Sequence, residues 1–239
     1  MFIVGPEKRE TSERLAKRMK CKCDKEYEGD GKEFIINYGG KCKIANLNTK
    51  IRFNKLRAFR ILKKAEVPVP DIFNKYARIP EECYPVLTRR KYHARGEDII
   101  FINNKEEMNE MDREEIDFIV KYIQNKAEYR VHVLGDIIAS ISKKKKRNED
   151  ADIHVRSFEN GWTHREYHGM HYFKLAELGK KAKNALGYDF GSVDIILGND
   201  NKFYVLEVNS GSKLNKKRRI IYAKYFKQKE QEWLKERGE

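Results

Sequence analysis

The chain has 239 residues, 40% of them hydrophobic and 11% aromatic, and its 51 lysines and arginines exceed the 37 acidic side chains to give a net charge of +14 and a pI near 9.4. Apolar runs recur along most of the length, which excludes a disordered polyelectrolyte despite 37% charged residues; none approaches the roughly 18 residues of a membrane span, and the opening MFIVG is too short for a signal peptide. The expectation is a cytoplasmic protein with no membrane partner, one cooperative unit with sub-lobes, whose charge favours an anionic partner such as a nucleotide, a nucleic acid or an acidic peptide.

In chain order, MFIVG reads as a short buried strand, residues 10–20 as a helix, and EFIINYGG as a second strand closing in a glycine turn. From Asn54, NKLRAFRILKKAEVPVP places Leu56, Phe59, Ile61 or Leu62, and Ala65 on one helical face and stops at Pro68 and Pro70. YPVLTRRKYHARGEDIIFI predicts a strand, a charged loop with Gly96 and another strand. Further strands are predicted near 117–123, 128–134 and 137–143, with Gly135-Asp136 as a hairpin turn. HYFKLAELGKKAKNALGYDF spaces Leu175, Leu178, Ala182 and Ala185 as a helix ending at Gly187, and GSVDIILG and KFYVLEVN are strands joined by a turn at NDN. The lysine-rich tail from Lys213 retains Ile220, Ile221, Tyr225, Phe226 and Trp233, which predicts helix rather than disorder.

Cys21, Cys23, Cys42 and Cys83 include a C-x-C pair but no C-x-x-C, and no histidine stands at finger-like spacing, so reduced thiols without metal are expected. The chemistry concentrates at the last strand pair. Strand alternation puts Glu207 and Asn209 on one face, and a hairpin would set Asp194 beside Glu207. Two carboxylates and an amide oxygen are hard donors suited to magnesium, which keeps waters and bridges phosphates. The same carboxylates would serve as lysine partners at a strand end, and spacing alone leaves both readings open.

DFGSVDIILGNDNKFYVLEVNSGS resembles the C-terminal signature of ATP-grasp enzymes, in which an aspartate on one strand and E-V-N on the next hold the magnesium ions that bridge ATP phosphates. The resemblance implies an α+β ATP-grasp fold, two lobes sandwiching ATP behind a short N-terminal α/β segment. It assigns Asp194, Glu207 and Asn209 to Mg2+ (or Mn2+). NKLRAFRILKKAEVPVP is similar to the helix after the family's first nucleotide-contacting lysine, here Lys55. PVLTRRKYHARGEDI resembles the strand and loop covering the phosphates in small, phage-type members, which gives nucleotide roles to Arg89, His93 and Gly96; Arg89 stands where many relatives have lysine. FIVKYIQNKAEYRVHVLGDIIASISKKKK resembles the segment linking the lobes, with Tyr122 and Ile123 at the adenine and Glu128 at the ribose. In the RimK-like branch basic residues lie near the acyl phosphate, matched here by Arg130, Lys143 and, in VRSFENGW, Arg156. Lys144 to Arg147 are read as a solvated loop. The chain departs from the family after E-V-N, where Ser210, Gly211, Ser212 and Lys213 replace the usual Pro-Gly loop, and that loop is a candidate acceptor contact.

The lobes implied are residues 1–66 (N-terminal segment), 67–127 (N-terminal lobe) and 128–239 (C-terminal lobe with the metal site and basic helix). The activity implied is an ATP-dependent carboxylate-amine ligase working through an acyl phosphate. Two rivals stand: an ATP-grasp kinase, and a basic nucleic-acid-binding protein or a ligase acting on modified DNA. Under the ligase reading, Glu207→Gln and Asp194→Asn are each expected to lose activity with the fold intact.

Overall fold

The computed structural model describes residues 1–6, 10–49, 53–90, 99–151 and 160–238. His93, Gly96 and Arg156 lie outside the described residues. Among those described, no helix is long and apolar enough to cross a membrane.

The N-terminal part forms a parallel three-stranded sheet in the order β2 (Lys22–Asp24), β1 (Phe2–Val4), β3 (Ile35–Asn37). Helix α1 (Glu10–Met19) presents Leu15, Ala16 and Met19 to Ile3 and Ile36, so the sheet gains the helix cover that parallel strands require. The short strand β2 has one of its three residues half-buried and two exposed, which is why the apolar pattern does not announce it.

A second, antiparallel sheet runs β4 (Ile72–Asn74), β7 (Phe118–Lys121), β5 (Val86–Arg89), β6 (Phe101–Ile102). Alternation along β7 divides it cleanly: Ile119 joins Ile79, Val86, Ile102, Met108 and Ile116 in one small core, while Phe118 and Val120 meet Phe59 on the other face. Phe59 belongs to helix α2 (Lys55–Lys64), and Met108 to α3 (Lys105–Glu110). Helix α3 is only six residues long, too short for apolar periodicity to reveal it; Asn104 caps it by accepting from the Glu107 amide at 2.9 Å.

The largest sheet is antiparallel, in the order β10 (Trp162–Glu166), β9 (Ile137–Lys146), β8 (Asn125–Leu134), β11 (Phe190–Gly198), β12 (Phe203–Asn209). One face is apolar throughout: Tyr129, Val131, Val133, Ile141, Val193, Ile195 and Val205 pack under helix α4 (Tyr172–Ala185). The opposite face is divided. At one end Leu134 and Phe190 are sealed by Tyr222 and Phe226 of helix α5 (Lys216–Glu236) together with the N-terminal sheet; at the other end the side chains are polar and open toward α2 and the second sheet. The basic tail is therefore structural cement. It joins the first and last parts of the chain into one core, with Phe34 against Trp233 at 5.7 Å.

Candidate active site

Two β-bulges build the site. Counted back from the turn at Asn199–Asn201, Leu197 opposes Phe203 and Ile195 opposes Val205, a register that would place Asp194 against Leu206. A shift between Asp194 and Ile195 leaves Leu206 unpaired and sets Asp194 directly against Glu207, with Ser192 against Asn209. All three predicted metal ligands thereby share the polar face.

The β8–β9 hairpin, turning at Gly135 with φ +55, contains the second bulge. Val133 pairs with Ile138 but His132 pairs with Ser140, so Ala139 is skipped. Every later residue of β9 changes face. Arg130 opposes Ser142, and Lys144 reaches the polar side to form an ion pair with Glu128. Lys143, the residue assigned to the reaction centre, instead faces the α4 side, its Nζ 5.8 Å from the ring centre of Tyr129. The expectation of a solvated loop from Lys144 is corrected with it: β9 continues to Lys146, paired with β10.

Across the polar face the charges interlock. Arg130 donates Nε–H and Nη2–H to the two oxygens of Asp194 at 2.6 and 2.8 Å. Asp194 raises the pKa of Arg130, and although burial pushes the Asp194 carboxyl up, Arg130, Lys144 and His164 outweigh it and hold that carboxyl below its ordinary value. His164, whose strand position opposes Lys144, is pushed down to about 4 by burial and by the Arg130 charge. His132 is fully buried and also lowered, by burial, then Arg218 and Arg130.

The second sheet and α2 close over this face. Asn54 caps α2 by accepting from the Arg57 amide at 2.9 Å, which places Lys55 at the first turn with its Nζ 3.7 Å from Glu207. Arg89, at the end of β5, is on the same strand face as Leu87, and Glu207 is the charge that favours its ionised form against burial. Its Nε is buried without a hydrogen-bond partner among the described residues. Tyr122 and Ile123 lie in the short link from β7 to β8, where the Tyr122 amide donates to the Pro85 carbonyl at 3.0 Å and its ring meets Phe101 edge-on at 4.9 Å.

The structure thus brings together Lys55, Arg89, Glu128, Arg130, Asp194, Glu207 and Asn209, and separates Lys143 from them. Lys144, His132, His164 and Arg218 were missed by the sequence reading, because their arrival on this face depends on a bulge and on where α5 docks. The loop after Asn209 is occupied: Ser212 Oγ bonds Ser192 Oγ, Tyr38 Oη donates to the Ser212 carbonyl, and Gly211 abuts Gly39 so closely that a Cβ on it would lie 2.7 Å from the Gly39 Cα.

The donor set fits magnesium in one manner. Among the described residues no three histidine, cysteine or acidic side chains gather around a point. Two carboxylates and an amide would leave positions for waters and phosphate oxygens, which is how Mg2+ is commonly held.

No family model matches the chain, and no curated protein sequence does. Solved structures do. The D-alanine–D-alanine ligase from Bacillus anthracis complexed with ATP aligns over 97% of this chain and 97% of its own, with TM-score 0.65 and 15% identity. The ATP-grasp ligase PsnB complexed with a minimal precursor, Mg and ADP aligns over 96% of each chain, with TM-score 0.64 and 12% identity. The N5-carboxyaminoimidazole ribonucleotide synthetase from Thermotoga maritima aligns over 87% of this chain and 67% of its own, with TM-score 0.54 and 13% identity. At these identities the likeness is one of architecture, and it agrees with the sheets and cleft described above: the chain has the ATP-grasp fold.

Proposed function

We propose that this protein is an ATP-dependent ligase that joins a carboxylate to an amine, with ATP lying between the second sheet and the polar face of the largest one. The observation that carries the reading is the register pair Asp194–Glu207, faced from the other side of the cleft by Lys55 and flanked by Arg130. Asp194, Glu207 and Asn209 would hold Mg2+, which supplies charge neutralisation for the triphosphate. Lys55, Arg89 and Lys144 are cations in position to meet phosphate oxygens, and the link through Tyr122 and Ile123 would border the base, with Glu128 toward the ribose. A substrate carboxylate attacking the γ-phosphate would give an acyl phosphate and ADP; an amine then displaces phosphate. Arg130 stands beside Asp194 to offset charge on the transferring group. No protein nucleophile is required. The finer placement in the RimK-like, phage-type branch, and the lobe limits near 66 and 127, belong to the same proposal.

ATP-grasp ligases among the similar structures support the reaction class, and PsnB was solved with Mg and ADP. A second reading has one observation in its favour: Arg14, Lys17, Arg18, Lys216 and Arg219 line an open groove of about 350 Å³ between α1 and the start of α5, a place for a polyanion such as nucleic acid.

Calorimetric titration with ATP, with and without Mg2+, tests the main reading. Binding that requires Mg2+ and disappears in Glu207→Gln is expected. Absence of nucleotide binding in the wild type overturns it, and salt-sensitive DNA binding without ATP would move the assignment to the groove.

A further inference from the structure

Asp194 stands within a row of directly opposed residues that crosses the largest sheet: Ser142 on β9, Arg130 on β8, Asp194 on β11 and Glu207 on β12. Like charges directly opposite each other on neighbouring strands repel, and Asp194 and Glu207 are such a pair. Asp194 is only 7% exposed, so water does little to screen it. The two carboxylates therefore need positive charge beside them.

The chain supplies that charge itself. Arg130 grips Asp194 with its fork, Nε–H on one carboxylate oxygen at 2.6 Å and Nη2–H on the other at 2.8 Å. A bidentate, charge-assisted pair of this kind is among the strongest contacts two side chains make. Lys55 reaches from α2 across the cleft to Glu207 at 3.7 Å. Arg130 and Lys55 together bring the two positive charges that one divalent cation would bring. The two contacts are unequal: the Arg130–Asp194 fork is short and double, and the Lys55–Glu207 pair is single and longer. Arg130 is thus the stronger hold on the site.

This arrangement bears on how a metal can enter. For a cation to take the Asp194 oxygens, Arg130 must let go of them, which leaves a largely buried guanidinium without its partner and beside a second cation. A free divalent ion offers Arg130 nothing in return. A polyphosphate does, because its oxygens accept the same bidentate fork that the carboxylate accepted. We infer that Arg130 gates the metal site: it holds Asp194 against a free divalent cation and releases it only when an anion takes the guanidinium in exchange. The inference rests on the ligase reading for the identity of that anion, the ATP triphosphate, and it makes Arg130 a positioning residue that acts through Asp194. The metal and the nucleotide then admit one another, and the protein stays folded with neither bound.

The test measures Mn2+ binding to the full chain in the absence of nucleotide, by the loss of the free-ion signal in electron paramagnetic resonance at neutral pH. Wild type should bind Mn2+ weakly, and Arg130→Met should bind it roughly tenfold or more tightly, the effect of no longer displacing a charge-assisted contact. Glu207→Gln added to Arg130→Met should remove the gain, which locates the ion between the two strands. Mn2+ should also raise the melting point of Arg130→Met and leave that of wild type unchanged, since a ligand stabilises the state that binds it. An arginine serving structure alone would lower the melting point on substitution and bring no gain in metal affinity. If Arg130→Met fails to fold with and without Mn2+, Arg130→Lys, which keeps the charge and loses the fork, decides by the same titration, with an intermediate gain expected. Equal Mn2+ affinity in wild type and the folded variant overturns the gate. Calorimetry with Mg-ATP on the same samples keeps the two ideas apart: Mg-ATP binding to wild type without a Mn2+ gain in the variant removes the gate alone, and a Mn2+ gain that Glu207→Gln abolishes, without Mg-ATP binding to wild type, removes the ligase reading and leaves the gated cation site.

Discussion

Asp194→Asn is isosteric, but the structure changes what it does. In the wild type the carboxylate accepts two hydrogen bonds from Arg130 at 2.6 and 2.8 Å, with the two side chains only 10% and 24% exposed. Removing one partner of such a pair leaves a desolvated charge, which costs about 3–5 kcal/mol, and the partial access of Arg130 to solvent argues for the lower end. Glu207 differs: its ion pair with Lys55 spans 3.7 Å and its side chain is 30% exposed, a contact contributing about 0–1 kcal/mol. For a chain of this length each kcal/mol moves the melting point by about 2–4 °C. Asp194→Asn should therefore melt roughly 6–12 °C below wild type, and Glu207→Gln no more than about 4 °C below. Both should lose Mg2+-dependent ATP binding, so Glu207→Gln is the cleaner probe of chemistry. Urea unfolding at neutral pH, compared at equal slope, measures the difference. Arg130→Met combined with Asp194→Leu should recover part of the loss, since neither end is then left charged. A stability for Asp194→Asn within about 1 kcal/mol of wild type would refute the argument.

His164, held at about 4 in the folded chain against an ordinary value of 6.5, makes its neutral form a source of stability that is complete above pH 6.5 and lost as pH falls toward 4. The loss is up to about 3 kcal/mol, and a His164→Gln variant should show a flatter stability profile over that interval. The depressed Asp194 carboxyl adds stability above the unfolded carboxylate range, lost only as pH falls below about 4. Lys144→Ala should lower turnover roughly 10²-fold, whereas Lys143→Ala should leave it within about twofold; equal effects would contradict the bulge-set register. Gly211→Ala should destabilise by about 1–3 kcal/mol in thermal melts, because its Cβ would press on the Gly39 backbone, and an unchanged melting point would show that the two loops part freely.

The α+β class, the helices α1, α2, α4 and α5, and the last two strands follow from local pattern: apolar spacing of three to four, an asparagine before Lys55, prolines after Val67, and a turn at Asn199–Asn201. That Glu207 and Asn209 share a face was legible for the same reason, since alternation along one strand is a property of that strand alone, whereas setting Asp194 against Glu207 takes the bulge between Asp194 and Ile195. Which of two adjacent lysines joins the site was not legible. A plain count from the Gly135-Asp136 turn puts Lys143 on the face of Glu128; one skipped residue at Ala139 exchanges it for Lys144. Strands β2, β4 and β10 are too short or too exposed to declare themselves, and each owes its place to a neighbour already in a sheet. The tail shows the limit most plainly. Its aromatic residues predict a helix, but that Arg218 reaches the polar face while Tyr222 and Phe226 seal the apolar half of it depends on contacts with Ser140, Leu134 and Phe190, far away in the chain and brought near only by the folded sheet.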